Sequence, residues 1–265
     1  MNFFEKLHNR ICYKKTYLCI GLDPTWEKIP KHIQRTQDGL LEFLCQIIDK
    51  TINHAAVFKL NFAFFESLGI LGIEVLQELI LKIPQEIPVI GDAKRGDIGN
   101  SSEMYARAIF EKLKCDAITV NPYQGGDALR PFFEYVDRGV FVLCLTSNPG
   151  AAEFQLPNLY LKVAKKVVEW NVSGNAGLVI GGTRPEYISK LRKQCRGMPF
   201  LIPGIGEQGG DLEKTIISAE DDSNVPYIIN VSRNILYASS KEDYAEQAGE
   251  VAKNISAKIN LCRLS

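Results

Sequence analysis

The chain has 265 residues, 46% hydrophobic and 23% charged, a length that fits one large α/β barrel or two domains of ordinary size. Its 31 basic and 31 acidic residues cancel, so no global field draws it to nucleic acid or to an anionic membrane. Its seven cysteines include no Cys-x-x-Cys pair, which predicts reduced thiols in a cytoplasmic protein rather than a disulfide framework.

The start, Phe3-Phe4-Glu5-Lys6-Leu7-His8, carries charge where a signal peptide needs its apolar core. No uncharged apolar run reaches the roughly 18 residues of a membrane-spanning helix. From there short apolar runs alternate with longer amphipathic stretches. The pattern predicts a strand over 17–22 and a helix over 39–52, then a strand over 55–60 and a helix over 70–83. A strand over 88–92 precedes a helix over 101–113, and a strand over 117–121 precedes a helix over 127–135. The second half continues as strand 140–145 and helix 159–172, then strand 177–181 and helix 185–194. Strand 200–204 with helix 211–219, and strand 227–231 with helix 241–259, complete the series. Several strands, such as Val140-Phe141-Val142-Leu143-Cys144-Leu145, are continuously apolar, as parallel strands buried on both faces are. No Ser/Gly-rich linker divides the chain. The expectation is a single-domain (β/α)8 TIM barrel over 1–265, with a doubly wound open sheet as the second arrangement.

Active sites of such barrels form where strands run into the following loops. The first two strands end in Asp23 and Lys59, and the third ends in Asp92-Ala93-Lys94 with Asp97 three residues on. Residues 92 and 94 have strand spacing, which predicts side chains pointing together into the barrel mouth. With Lys59 and Asp97 they make an alternating Lys–Asp–Lys–Asp set. One reading is a buried ion-pair network that fixes the rim; the other is a catalytic cluster, favoured because four charges exceed what one stabilising pair needs.

Gly204-Ile205-Gly206-Glu207-Gln208-Gly209 matches Gly-x-Gly-x-x-Gly but follows the seventh strand, which fits a phosphate cradle better than a dinucleotide fingerprint. Gln208 and Arg233 supply donors for it; the alternative is a glycine turn beside a surface arginine. His8, His32 and His54 lie away from strand ends, and no His-x-x-x-His, Gly-x-Ser-x-Gly or Gly-x-x-x-x-Gly-Lys-Ser/Thr occurs. Lysine and aspartate without histidine point to proton transfer by lysine.

Taken with Asn121-Pro122-Tyr123 and Thr146-Ser147-Asn148-Pro149-Gly150, these motifs resemble those of the orotidine 5'-phosphate decarboxylase family. The likeness is strongest to its bacterial branch, which carries Asp-Ala-Lys-Arg-Gly-Asp-Ile-Gly-Asn, here residues 92–100. That branch usually has threonine next; Ser101 stands here and keeps the hydroxyl, and the resemblance implies that it binds substrate. The resemblance implies decarboxylation of orotidine 5'-monophosphate to UMP without metal or cofactor. In it Lys94 protonates C6, Asp92 lies against the substrate carboxylate, and Lys59 and Asp97 complete the charge network. It implies further that Asp23 holds a ribose hydroxyl, Ser147 the pyrimidine, and Gly206, Gln208 and Arg233 the phosphate. Asp97 is implied to come from the second subunit of a homodimer.

Two rivals remain. Magnesium-dependent sugar-phosphate decarboxylases or aldolases share Asp-x-Lys-x-x-Asp but need an acid where this chain has Lys59, whose ammonium repels an ion. The other is a non-catalytic nucleotide-binding barrel, which has no need of Lys94 or Asp97. A fused orotate phosphoribosyltransferase has no room in 265 residues.

Overall fold

The computed structural model describes residues 1–205, 211–221 and 225–264. Among them the strands are β1 (Leu18–Gly21), β2 (Val57–Asn61), β3 (Val89–Arg95), β4 (Ala117–Val120), β5 (Gly139–Leu145), β6 (Ala176–Ile180), β7 (Phe200–Ile202) and β8 (Tyr227–Val231). Each pairs in parallel with the next, and β8 returns to β1 through the register Leu18 with Ile229 and Cys19 with Asn230. The sheet is therefore closed, which excludes the doubly wound alternative and establishes the (β/α)8 barrel.

The helices in chain order are α1 (Phe3–Lys14), α2 (Gln37–Thr51), α3 (Phe62–Glu66), α4 (Ile70–Lys82), α5 (Gly99–Arg107) and α6 (Gly126–Phe133). They continue as α7 (Ala151–Phe154), α8 (Leu159–Trp170), α9 (Pro185–Gln194), α10 (Leu212–Ala219), α11 (Arg233–Leu236) and α12 (Tyr244–Leu264). No helix among the described residues is long and apolar enough to cross a membrane.

Alternation along the strands sorts apolar side chains into two clusters. Phe58, Leu60, Ile118, Val120 and Ile229 pack outward under the helices. Cys19, Val57, Ile90, Ala117, Phe141 and Leu201 form a second cluster inside the barrel.

Helix α1 is not among the sequence-predicted elements because it precedes the strand–helix repeat. A capping box starts it: Asn2 Oδ1 accepts from the Glu5 N–H, and the Glu5 carboxylate accepts from the Asn2 N–H, both at 2.9 Å. Its Phe3, Phe4, Leu7 and Ile11 join the interior cluster, with Phe3 edge-on to Phe141 at 5.8 Å. Burying each phenylalanine contributes about 1.5–3 kcal/mol. The helix thus closes the end of the barrel where the strands begin, leaving the opposite end open for a site.

Candidate active site

Two residues beyond Val57, Ile90 and Ala117, on the same inward side of β2, β3 and β4, stand Lys59, Asp92 and Thr119. Here the interior changes from apolar to polar. Lys59 is 3% exposed, and its Nζ lies 2.9 Å from Asp92 Oδ2 and 3.8 Å from Asp23 Oδ1. The other Asp92 oxygen, Oδ1, accepts from Lys94 Nζ at 2.6 Å and from Thr119 Oγ1 at 2.8 Å. One buried carboxylate is thereby bracketed by two ammonium groups.

Burial disfavours the charge on Lys59, yet attraction to Asp23 and Asp92 outweighs it and holds the ammonium above the ordinary lysine value. Burial likewise opposes ionisation of Asp92, but Lys59 and Lys94 hold its carboxyl below the usual carboxylate range. Both groups are charged at neutral pH. The Lys94 side chain differs from them in being 46% exposed.

Lys94 reaches the mouth by a route that simple strand spacing does not describe. Its φ is 48°, and the β3–β4 register shifts between Gly91 and Arg95. A bulge re-aims a side chain in this way. The left-handed turn carries Nζ back over Asp92, and the Lys94 N–H donates to Thr119 Oγ1 at 3.0 Å.

These groups line a cavity of about 490 Å³ together with Asp23, Ser147 and Arg233. Asp23, 8% exposed, accepts from the Asn61 N–H at 3.3 Å. Its loop is held by Tyr237, whose hydroxyl donates to Asp23 O at 3.0 Å and accepts from the Thr25 N–H at 2.8 Å. Ser147 is half-buried beyond β5, and Arg233, exposed, opens α11 after β8. Gly204, with φ 91°, lines the same cavity beside them. Gly206 and Gln208, the other expected phosphate contacts, lie outside the described residues.

Asp97 and Ser101 do not line their own chain's cavity. The Asp97 carboxylate accepts from the Ile98 N–H at 2.8 Å, and Ser101 is exposed on α5. One chain therefore unites Asp23, Lys59, Asp92 and Lys94, not the Lys–Asp–Lys–Asp set that the motif alone suggests. The three histidines lie away from the cavity. Among the described residues, no group of three or more His, Cys, Asp or Glu could hold a metal ion.

The model of the Orotidine 5'-phosphate decarboxylase / HUMPS family matches residues 16–248. The chain belongs to this family. An orotidine 5'-phosphate decarboxylase of Dehalococcoides mccartyi is 45% identical over 269 residues, covering 98% of each chain. That of Thermomicrobium roseum is 44% identical over 271 residues, covering 99% of this chain and 96% of its own. The solved OMP decarboxylase of Leishmania donovani superposes over 100% of both chains with a TM-score of 0.87 at 36% identity.

Sequence reasoning missed Thr119 and Asn230, which also line the cavity. The signal was present in each case. Ala117-Ile118-Thr119-Val120 and Tyr227-Ile228-Ile229-Asn230-Val231 each carry one polar residue in an apolar strand, at a position whose neighbours two residues back, Ala117 and Ile228, face the interior.

Proposed function

We propose that the chain decarboxylates orotidine 5'-monophosphate to UMP and CO2, the last step of de novo pyrimidine nucleotide synthesis, with Lys94 as proton donor. The observation that carries this reading is the Asp92 carboxylate held between a buried ammonium, Lys59, and a half-exposed one, Lys94, that faces the cavity. Departure of CO2 leaves an electron pair on C6 with no conjugated sink. A fixed ammonium beside it lowers the energy of that charge and supplies the proton that replaces the carboxyl group. The ion pairs with Asp92 hold both lysines in place before substrate arrives.

Around this centre Asp23 takes a ribose hydroxyl, Ser147 the pyrimidine, and Arg233 the phosphate with Gly206 and Gln208. Phosphate contacts far from C6 supply binding energy for orientation. No metal or cofactor enters: Lys59 occupies the second-strand position where a metal-dependent relative needs an acid. Asp97 and Ser101 serve the site of a second copy in a homodimer. Their segment carries the exposed apolar residues Ile98, Met104 and Tyr105, which suits an interface. The whole of 1–265 acts as one catalytic domain in the cytoplasm, in keeping with its free cysteines.

Lys94→Ala removes both the charge and the proton source. Its kcat is expected to fall by about 10⁴-fold or more, while UMP still binds through its phosphate. Retention of more than a few per cent of turnover would rule out protonation by this lysine.

A further inference from the structure

We infer that Thr119 is the positioning residue of the site, its hydroxyl setting both the Asp92 carboxylate and the backbone turn at Lys94. Thr119 is 1% exposed on β4, whose remaining residues are Ala117, Ile118 and Val120. Valine has nearly the same shape and would suit such a strand, so the hydroxyl calls for a reason. Its single proton goes to Asp92 Oδ1 at 2.8 Å, and its oxygen accepts the Lys94 N–H at 3.0 Å. Both halves of the Asp92–Lys94 pair thus hang on one atom.

The Lys94 backbone needs such an anchor. Its φ of 48° lies in the left-handed region, uncommon for a residue with a side chain and stable only where the surroundings hold it. This is also the point where the β3–β4 ladder shifts register, between Gly91 and Arg95, so regular strand pairing does not fix it. The Thr119 hydroxyl takes the place of the missing ladder acceptor. Its other bond shares Oδ1 with the Lys94 ammonium, which sits 2.6 Å away. Rotation of the carboxylate, or relaxation of the Lys94 backbone toward an extended conformation, would move Nζ relative to the reacting carbon. Displacement of a reacting group by about 1 Å costs roughly 100-fold in rate.

The inference rests on the reading of Lys94 as proton donor, so Lys94→Ala is assayed in parallel. If Lys94→Ala remains active, the reading of the site fails whatever Thr119 does. Thr119→Val keeps the shape and removes the hydroxyl; Thr119→Ser keeps the hydroxyl and removes a methyl group. A packing role makes serine the worse variant, whereas a positioning role makes valine the worse. The expected result is a kcat lowered about 100-fold in Thr119→Val, with KM for orotidine 5'-monophosphate changed no more than about threefold. Thr119→Ser is expected to recover most of that loss. UMP binding at wild-type affinity checks that the valine variant is folded, and Thr119→Ala against Thr119→Ser repeats the comparison if it is not. A valine or alanine variant within about threefold of wild type, or a serine variant as slow as either, overturns the inference.

Discussion

Asp92→Asn separates the charge of the central carboxylate from its shape. Lys59 would then keep only Asp23, at 3.8 Å, against the cost of burying an ammonium that is 3% exposed. Removing one partner of a buried pair costs about 3–5 kcal/mol. The half-exposed Lys94 can turn to water and adds little, and Asp23 offsets part of the cost at Lys59, which places the loss near 3 kcal/mol at pH 7. The loss also carries a pH signature. In the wild type Lys59 is held above the ordinary lysine value, so its pairing contributes stability below the unfolded pKa of about 10.4, lost only as pH rises through the folded value. In the variant the largest influence on Lys59, burial, is opposed by the Asp23 charge without that of Asp92, and the folded value is expected to fall below that of the unfolded chain. The folded state then binds fewer protons, and stability rises with pH by up to about 1.4 kcal/mol per unit until roughly pH 10. Urea unfolding of both proteins between pH 7 and pH 10 reads this directly. The deficit is expected to shrink as pH rises. A deficit below about 1 kcal/mol at pH 7 would refute a buried pair between Lys59 and Asp92, and one that stays constant across the range would refute the lowered Lys59 value and leave Asp23 holding the ammonium.

Arg233→Ala removes a charged contact of about 1.5–3 kcal/mol per hydrogen bond, so KM for the nucleotide should rise by roughly 10- to 100-fold. The nucleoside orotidine, which lacks the phosphate, should be turned over as before; equal losses for both would make Arg233 structural. Mixing the inactive variants Lys94→Ala and Asp97→Ala in equal amounts should restore roughly a quarter of wild-type activity, because half the re-paired dimers hold one intact site. Verified subunit exchange without recovered activity would assign Asp97 to its own chain's site.

The barrel was legible because each strand is a short apolar run followed by an amphipathic stretch, and burial on both faces leaves that mark on sequence. Asp92 and Lys59 were legible because charge at the end of an apolar strand is costly unless used. Lys94 was placed correctly in the mouth for an incomplete reason. Spacing of two suggested regular alternation, whereas a register shift and a left-handed backbone do the work. That turn depends on Thr119, a partner across the sheet that no local pattern around residue 94 reveals. Helix α1 escaped because its burial is against the barrel's end, outside the repeat that organised the other elements. Strand spacing alone grouped Asp97 with its own chain's mouth, whereas the family resemblance assigned it to a second subunit; one chain leaves it away from its own cavity.

The most direct test of the proposed function is the loss of orotidine 5'-monophosphate absorbance on addition of the purified protein, with and without exhaustive EDTA. Conversion to UMP and CO2 at the same rate in both samples is expected, because Lys59 and Lys94 provide the charge that a metal would otherwise supply. No turnover, or turnover abolished by EDTA and restored by Mg²⁺, would contradict it.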